Sequence, residues 1–202
     1  MRRLLKQRLL TVQPGLSPIL HGGFGAMTIV AEDRPDVQVV LSGLGLRRIP
    51  EWVILDPTTN GYCFVRCDRL WEWGALVRAV TVRVPRDFAY LIQAYTRGRI
   101  TTTGPIGRVQ LTAFGRIRVE EIPTNSTAVL STKGWWSSIK VGKTSGELSA
   151  YTNGGSVQVE AAAPSSLTIS PKGGNVDVHG DWDDRALWIL GECWRETLRE
   201  ST

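Results

Sequence analysis

Gly154-Gly155-Ser156-Val157-Gln158-Val159 and Gly173-Gly174-Asn175-Val176-Asp177-Val178 are two copies of one pattern. Each opens on a glycine pair and runs on with valine at alternate positions. Period-two alternation puts every second side chain on one face of a strand. Glycine supplies the backbone freedom that a tight corner needs. The unit recurs upstream as Gly134 leading to Ile139-Lys140-Val141, as Gly115-Arg116-Ile117-Arg118-Val119 and as Gly98-Arg99-Ile100-Thr101-Thr102. The first glycines lie 17, 19, 20 and 19 residues apart. A second alternating run falls between successive glycines: Leu91-Ile92-Gln93-Ala94, Val109-Gln110-Leu111, Ala128-Val129-Leu130, Leu148-Ser149-Ala150 and Leu167-Thr168-Ile169. The chain is therefore a repeat, with two short strands per unit.

One such unit has an apolar row and nothing to bury it against. Stacking units in register buries the rows together and pairs the strand backbones along the stack. The fold class expected is all-β, a short β-solenoid. Alternation assigns Ile100, Ile117, Ile139, Val157 and Val176 to one interior column, and Thr102, Val119, Val141, Val159 and Val178 to a second. Arg99, Arg116, Lys140, Gln158 and Asp177 are expected outside. Pro105, Pro123, Pro164 and Pro171 fall at corners, where a missing N–H costs no ladder bond. An antiparallel sandwich also has evenly spaced strands, but a near-constant period favours the solenoid.

Residues 22–90 read as strands of the same stack, in larger antiparallel rungs: Ala26–Ala31, Val37–Leu41, Trp52–Leu55, Tyr62–Arg66 and Leu76–Val84. A separate sandwich is the competing reading. The expected organisation is a basic segment over 1–21, a solenoid over 22–180 and a terminal helix over 181–202. Asp181-Trp182-Asp183-Asp184 resembles a helix start. Leu187, Leu190, Trp194 and Leu198 then recur at helical spacing. An amphipathic helix laid over the open end would cap the core. Arg2 to Val12 could form a short basic helix with Leu5, Leu9 and Val12 on one side.

The run Val80-Thr81-Val82-Arg83-Val84-Pro85, followed by Leu91–Tyr95 and Gly98-Arg99-Ile100, carries a family cadence. It resembles the bacterial putative-adhesin family of β-strand-repeat proteins, a domain of unknown function. There a V-x-V-P strand leads into T-x-x-G-x-V-x-V rungs, matched here at Thr112–Val119, Thr132–Val141, Thr152–Val159 and Ser170–Val178. The Trp135-Trp136-Ser137-Ser138 stretch after Gly134 departs from it, adding two residues to its rung. The resemblance implies a structural module over residues 22–180, and adhesive activity does not follow from it.

The chemistry-bearing residues are few. Only two histidines occur in 202 residues, His21 and His179. Cys63, Cys67 and Cys193 are an odd set without metal-site spacing, which fits a reducing compartment, the cytoplasm. No nucleophile–base pairing or phosphate loop is legible, and no cofactor is implied. The sequence thus points away from an enzyme. Asp177, Asp181, Asp183 and Asp184 are read as helix-start acids. The start Met1-Arg2-Arg3-Leu4-Leu5-Lys6 lacks the continuous apolar run of an export signal, and no apolar run approaches membrane-spanning length.

The charge is +5 and unevenly spread: no acid precedes Glu32, and none lies between Tyr95 and Val119. The candidate interaction surface is Trp135 and Trp136, Arg99, Arg116 and Arg118, and Leu187, Trp188 and Trp194 of the tail. The first expectation is an adhesin-like scaffold that binds a protein partner or itself. An outer face running from arginine to aspartate suggests head-to-tail association. A polyanion or anionic-membrane binder through the Arg2–Arg8 and Arg97–Arg118 clusters is the alternative, with peripheral membrane contact through Arg2, Arg3, Lys6 and Arg8. Nucleic acid is disfavoured, because the arginine rungs show little aromatic interleaving. A polysaccharide-active enzyme is the remote third reading.

Overall fold

The computed structural model describes residues 6–12, 17–22, 25–44, 53–57, 62–67, 76–87, 91–182 and 186–200. Its regular part is a two-sheet solenoid. Each rung has one strand in either sheet: β8 (Ile92–Thr96) with β9 (Arg99–Thr103), then β10 (Val109–Ala113) with β11 (Ile117–Ile122). The following rungs are β12 (Thr127–Thr132) with β13 (Ser138–Thr144), β14 (Glu147–Asn153) with β15 (Ser156–Ala162), and β16 (Ser166–Lys172) with β17 (Asn175–Gly180). All these strands pair in parallel with the equivalent strand of the next rung.

The register fulfils the alternation. Ile100, Ile117, Ile139, Val157 and Val176 are successive partners, each at most 1% exposed. Val119, Val141, Val159 and Val178 form the second column, and Thr102 is buried at its head. The opposite sheet contributes Ile92, Val109, Ala128, Leu148 and Leu167, and beside them Ala94, Leu111, Leu130, Ala150 and Ile169. Burying each large aliphatic side chain contributes roughly 1.5–3 kcal/mol, and these columns join in one apolar core cluster among the described residues.

The corner between the two sheets has its own chemistry. A threonine sits at the last inward position of its strand and reaches forward into the turn. Thr96 Oγ1 accepts the Gly98 N–H at 3.2 Å, and the Thr152 hydroxyl donates to the Gly155 carbonyl at 2.9 Å. Glycine follows because the corners stack backbone on backbone. A Cβ on Gly98 would lie 1.8 Å from the Gly25 carbonyl oxygen. One on Gly174, at φ 90°, would lie 2.1 Å from that of Gly155. At these two levels the corner is thus a hydrogen-bonded turn whose stacked glycines exclude side chains.

The upstream half continues both sheets. Its strands are β1 (Lys6–Val12), β2 (Ser17–Gly22), β3 (Ala26–Glu32), β4 (Val37–Leu44), β5 (Val53–Pro57), β6 (Tyr62–Cys67) and β7 (Leu76–Pro85). β2 and β3 pair in parallel with β8 and β9, and β6 and β7 lie parallel outside them. β1, β4 and β5 are antiparallel. The expected antiparallel rungs are therefore confined to these three strands. The sequence order is also broken: the β6–β7 rung lies beyond β2–β3, and the chain returns past it to β8. Arg34, hydrogen-bonded through Nη2 to Asp36 Oδ1 at 2.7 Å, fixes the turn before β4 and holds the Asp36 carboxyl below the usual carboxylate range.

Two helix expectations are corrected. Residues 6–12 form strand β1, paired along its length with β4. The tail forms one further rung in place of a capping helix: β18 (Leu187–Ile189) pairs with β16, and β19 (Arg195–Glu200) with β17. The leucine spacing of the tail is ambiguous, since Leu187 and Ile189 also alternate as strand residues. Gly191 decides against a helix, with φ 130° and no room for a Cβ against the Pro171 carbonyl oxygen, 2.4 Å away. The free edges of β16 and β17 offer a template that outweighs weak local propensity. Asp183 and Asp184, at the supposed helix start, lie outside the described residues.

The last rung closes the core only partly. Leu187 and Ile189 pack half-buried against it. In β19 the inward register positions hold Glu196, Leu198 and Glu200, opposite Val176, Val178 and Gly180. Carboxylates in the inward row oppose the burial that a further rung would require.

Candidate functional site

One sheet has nine strands, in the order β18-β16-β14-β12-β10-β8-β2-β6-β5, and the other ten, in the order β1-β4-β7-β3-β9-β11-β13-β15-β17-β19. In each rung the corner that joins the end of the nine-stranded-sheet strand to the start of its ten-stranded-sheet partner lies on one edge of the stack. Backbone hydrogen bonds tie its levels together: Arg99 N–H to the Gly25 carbonyl, Gly115 N–H to Gly98, Ser156 N–H to Ser137 and Trp194 N–H to Gly174. Side chains that belong to separate units are thereby aligned. The edge carries Arg97 and Arg99, then Phe114 and Arg116, then Lys133, Trp135 and Trp136. Beyond two glycine-pair corners and Lys172 it ends at Trp194 and Arg195.

Its most protruding point is the tryptophan pair. Gly134 to Ser137 is a tight turn closed by the Ser137 N–H on the Gly134 carbonyl at 3.2 Å. The buried Ser137 hydroxyl lies 2.8 Å from that of Thr132 and also meets the Gly134 carbonyl, pinning the turn from inside. The two residues at the tip have nowhere to pack, so Trp135 is 78% and Trp136 93% exposed. Trp194, 78% exposed, stands over Gly173 about three rungs on, roughly 14 Å by ordinary strand spacing. Phe114 is also exposed, with its ring edge-on to Tyr95 at 6.3 Å. Tyr95 stacks on His21 at 4.7 Å, and Lys133 Nζ lies 5.8 Å from the Tyr95 ring centroid. This ring cluster fixes Phe114 and Lys133 beside the edge.

The charge is one-sided. Arg97, Arg99, Arg116, Lys133, Lys172 and Arg195 are all exposed, and Glu192 is the one acid among the described residues of the edge. No carboxylate among the described residues lies within ion-pair distance of these six cations. The outer face of the ten-stranded sheet behaves differently. There Lys140 pairs with Glu160, and Lys143 with Glu121. The opposite corners, at 104–108, 123–126, 145–146 and 163–165, hold no exposed large hydrophobic residue.

The residues expected to form an interaction surface divide into four places. Trp135, Trp136, Arg99, Arg116 and Trp194 share the edge. Arg118 does not join Arg99 and Arg116; it lies on the outer face, in the row Thr101, Arg118, Lys140, Gln158, Asp177 and Thr197. Leu187 faces the core, whereas Trp188 is 56% exposed on the outer side of the nine-stranded sheet. Arg2 and Arg3 lie outside the described residues, and Lys6 and Arg8 are placed only as members of β1. Sequence reading missed Phe114, Lys133 and Lys172, whereas Arg97 belongs to the basic cluster that it expected to bind a polyanion or membrane. The signal available was position: each immediately precedes a corner glycine.

Little here suggests chemistry. No group of three or more His, Cys, Asp or Glu residues that could hold a metal is found among the described residues. The dent over Gly142, of about 440 Å³, is bordered by Arg118, Glu120, Lys140 and Glu160. Its carboxylates are engaged: Glu120 accepts the Gly104 N–H at 3.0 Å, and Glu160 holds Lys140. His179 lies 3.4 Å from Asp177, with no nucleophile assigned to it. No helix among the described residues is long and apolar enough to cross a membrane.

No family model and no curated protein matches the chain. Solved structures do match over nearly its whole length. A putative adhesin of Bacteroides fragilis NCTC 9343 is 10% identical, with 98% of either chain covered and a TM-score of 0.55. A putative cell adhesion protein of Clostridium sporogenes ATCC 15579 is 8% identical, covering 98% of this chain and 100% of that one, with a TM-score of 0.46. A putative lipid binding protein of Parabacteroides distasonis ATCC 8503 is 9% identical over 98% and 97%, with a TM-score of 0.39. At such identity the likeness is one of fold, and the fold is the β-solenoid that the Bacteroides fragilis structure also has.

Proposed function

We propose that this chain is a non-enzymatic, adhesin-like interaction module that engages its partner along the glycine-corner edge. One observation carries the reading: the exposed tryptophans of separate repeats are aligned on one edge with cations that have no ion-pair partner among the described residues. Exposed tryptophan and arginine are the residues that dominate binding energies at interfaces. A rigid ladder holds them without further ordering cost. The names of the structures with the same fold agree with a binding role. In-register stacking of copies through the last rung is opposed by Glu196 and Glu200, which leaves the edge as the favoured contact.

Site-specific photo-crosslinking in cells of the native host tests this. A crosslinking residue at Trp136 should give adducts, and one at Thr124, on the opposite corner, should give none. Equal labelling from both, or none from Trp136, would overturn the reading.

A further inference from the structure

We infer that the occupant of the edge is an anionic lipid surface, into which the Trp135–Trp136 tip inserts. This rests on the reading of the chain as a binding module and names the partner. Three observations select it. The aromatics are tryptophans at a protruding tip, and tryptophan settles at the membrane–water interface, where its apolar ring and N–H are both accommodated. The cations flank that tip along the stack, without an ion-pair partner among the described residues, and Glu192 is the one acid among the described residues of the edge. Basic residues near a phosphatidylserine-type surface each strengthen attachment. Shape decides between lipid and polynucleotide. A single strand of nucleic acid is held in a groove that tracks its backbone. This edge is convex, the outside of a tight turn repeated along a stack, and a convex ridge with a protruding aromatic tip suits a flat, deformable bilayer.

The two components need each other. A shallow insertion of two side chains gives weak, reversible attachment, and stable anchoring takes an apolar and an electrostatic signal together. The edge supplies both within a few rungs. It also sets the orientation: the stack lies lengthwise on the surface, with the outer faces of both sheets free.

The test is co-flotation of the full chain with phosphatidylcholine vesicles, with and without phosphatidylserine. Binding is expected only with phosphatidylserine, and it should weaken as salt rises to ~0.15 M, where the screening length is about 8 Å. Trp135→Ala with Trp136→Ala should weaken it at least about tenfold through lost apolar burial. Arg97→Gln, Arg99→Gln and Arg116→Gln should each cost about fivefold. Arg118→Gln with Lys143→Gln, on the outer face, should change it less than twofold, roughly the scatter of a screened surface charge. All these side chains are exposed, so circular dichroism should show the fold retained. Equal losses from edge and outer-face variants would overturn the inference. So would absent vesicle binding, or tighter binding of a single-stranded oligonucleotide than of vesicles. Protein adducts from position 136 without vesicle binding would sink the lipid partner alone and leave the interaction module standing.

Discussion

Replacing Ile139 by alanine tests whether the repeats share one interior column. Ile139 is 1% exposed and partnered in register by Ile117 on one side and Val157 on the other. The substitution removes three carbons, about 2.4 kcal/mol at ~0.8 kcal/mol per buried methylene. Parallel ladders on both sides hold the neighbouring rungs in place, so the void collapses little. Its residual volume brings the expected cost to roughly 3–4 kcal/mol, within the range of aliphatic truncations in packed cores. The control is the next residue. Lys140 faces outward and pairs with Glu160 while its side chain is 37% exposed, so Lys140→Ala should cost less than about 1 kcal/mol. Urea unfolding followed by far-ultraviolet circular dichroism measures both, compared through midpoints at a common slope. A cost for Ile139→Ala no larger than that for Lys140→Ala would refute the inward–outward assignment on which the fold rests.

Gly155→Ala should destabilise by roughly 2 kcal/mol or more in the same assay, because its Cβ would fall 2.2 Å from the Ser137 carbonyl oxygen. Gly173→Ala should cost less, about 1–2 kcal/mol for its left-handed φ of 80°, since the nearest atom to its Cβ is 3.6 Å away on the Trp194 ring. Glu196→Val with Glu200→Val should convert the last rung into a stacking edge, seen as concentration-dependent growth in light scattering; a monodisperse double variant would contradict the guarding role. Arg34→Ala should return the Asp36 carboxyl toward its ordinary range in an NMR titration, because the Arg34 hydrogen bond is the main cause of its lowering. With the folded value below the unfolded one, that contact supports the fold above the unfolded-state pKa and is lost as pH falls through the folded one.

The repeat was legible because period-two alternation and corner glycines are local signals that the stack simply repeats. Ile117, Ile139 and Val157 could be placed in one column from spacing alone. The tail was not, since Leu187, Leu190, Trp194 and Leu198 fit helical spacing as well as they fit a strand pair. What settles them is the unpaired edge of β16 and β17, a non-local feature absent from any window of sequence. The out-of-order β6–β7 rung is hidden for the same reason. The edge was half legible. Trp135 and Trp136 declare themselves as a pair, but Phe114 and Lys133 matter only once adjacent corners are superposed. Arg118 was grouped with Arg116 because they are close in sequence, although a strand sends residues two apart to the same face only within the strand, and Arg116 sits in the corner before it.

The central claim is that both halves of the chain and its tail build one stack, whose corners consequently align. Thr28 and Thr197 lie in one outer row, joined through Thr101, Arg118, Lys140, Gln158 and Asp177. Spin labels at these two positions, measured by double electron–electron resonance, should give one narrow distribution centred near 29 Å, about six strand spacings. A broad distribution, or a separation beyond about 45 Å, far outside what stacked strands allow, would contradict a continuous solenoid and remove the edge with it.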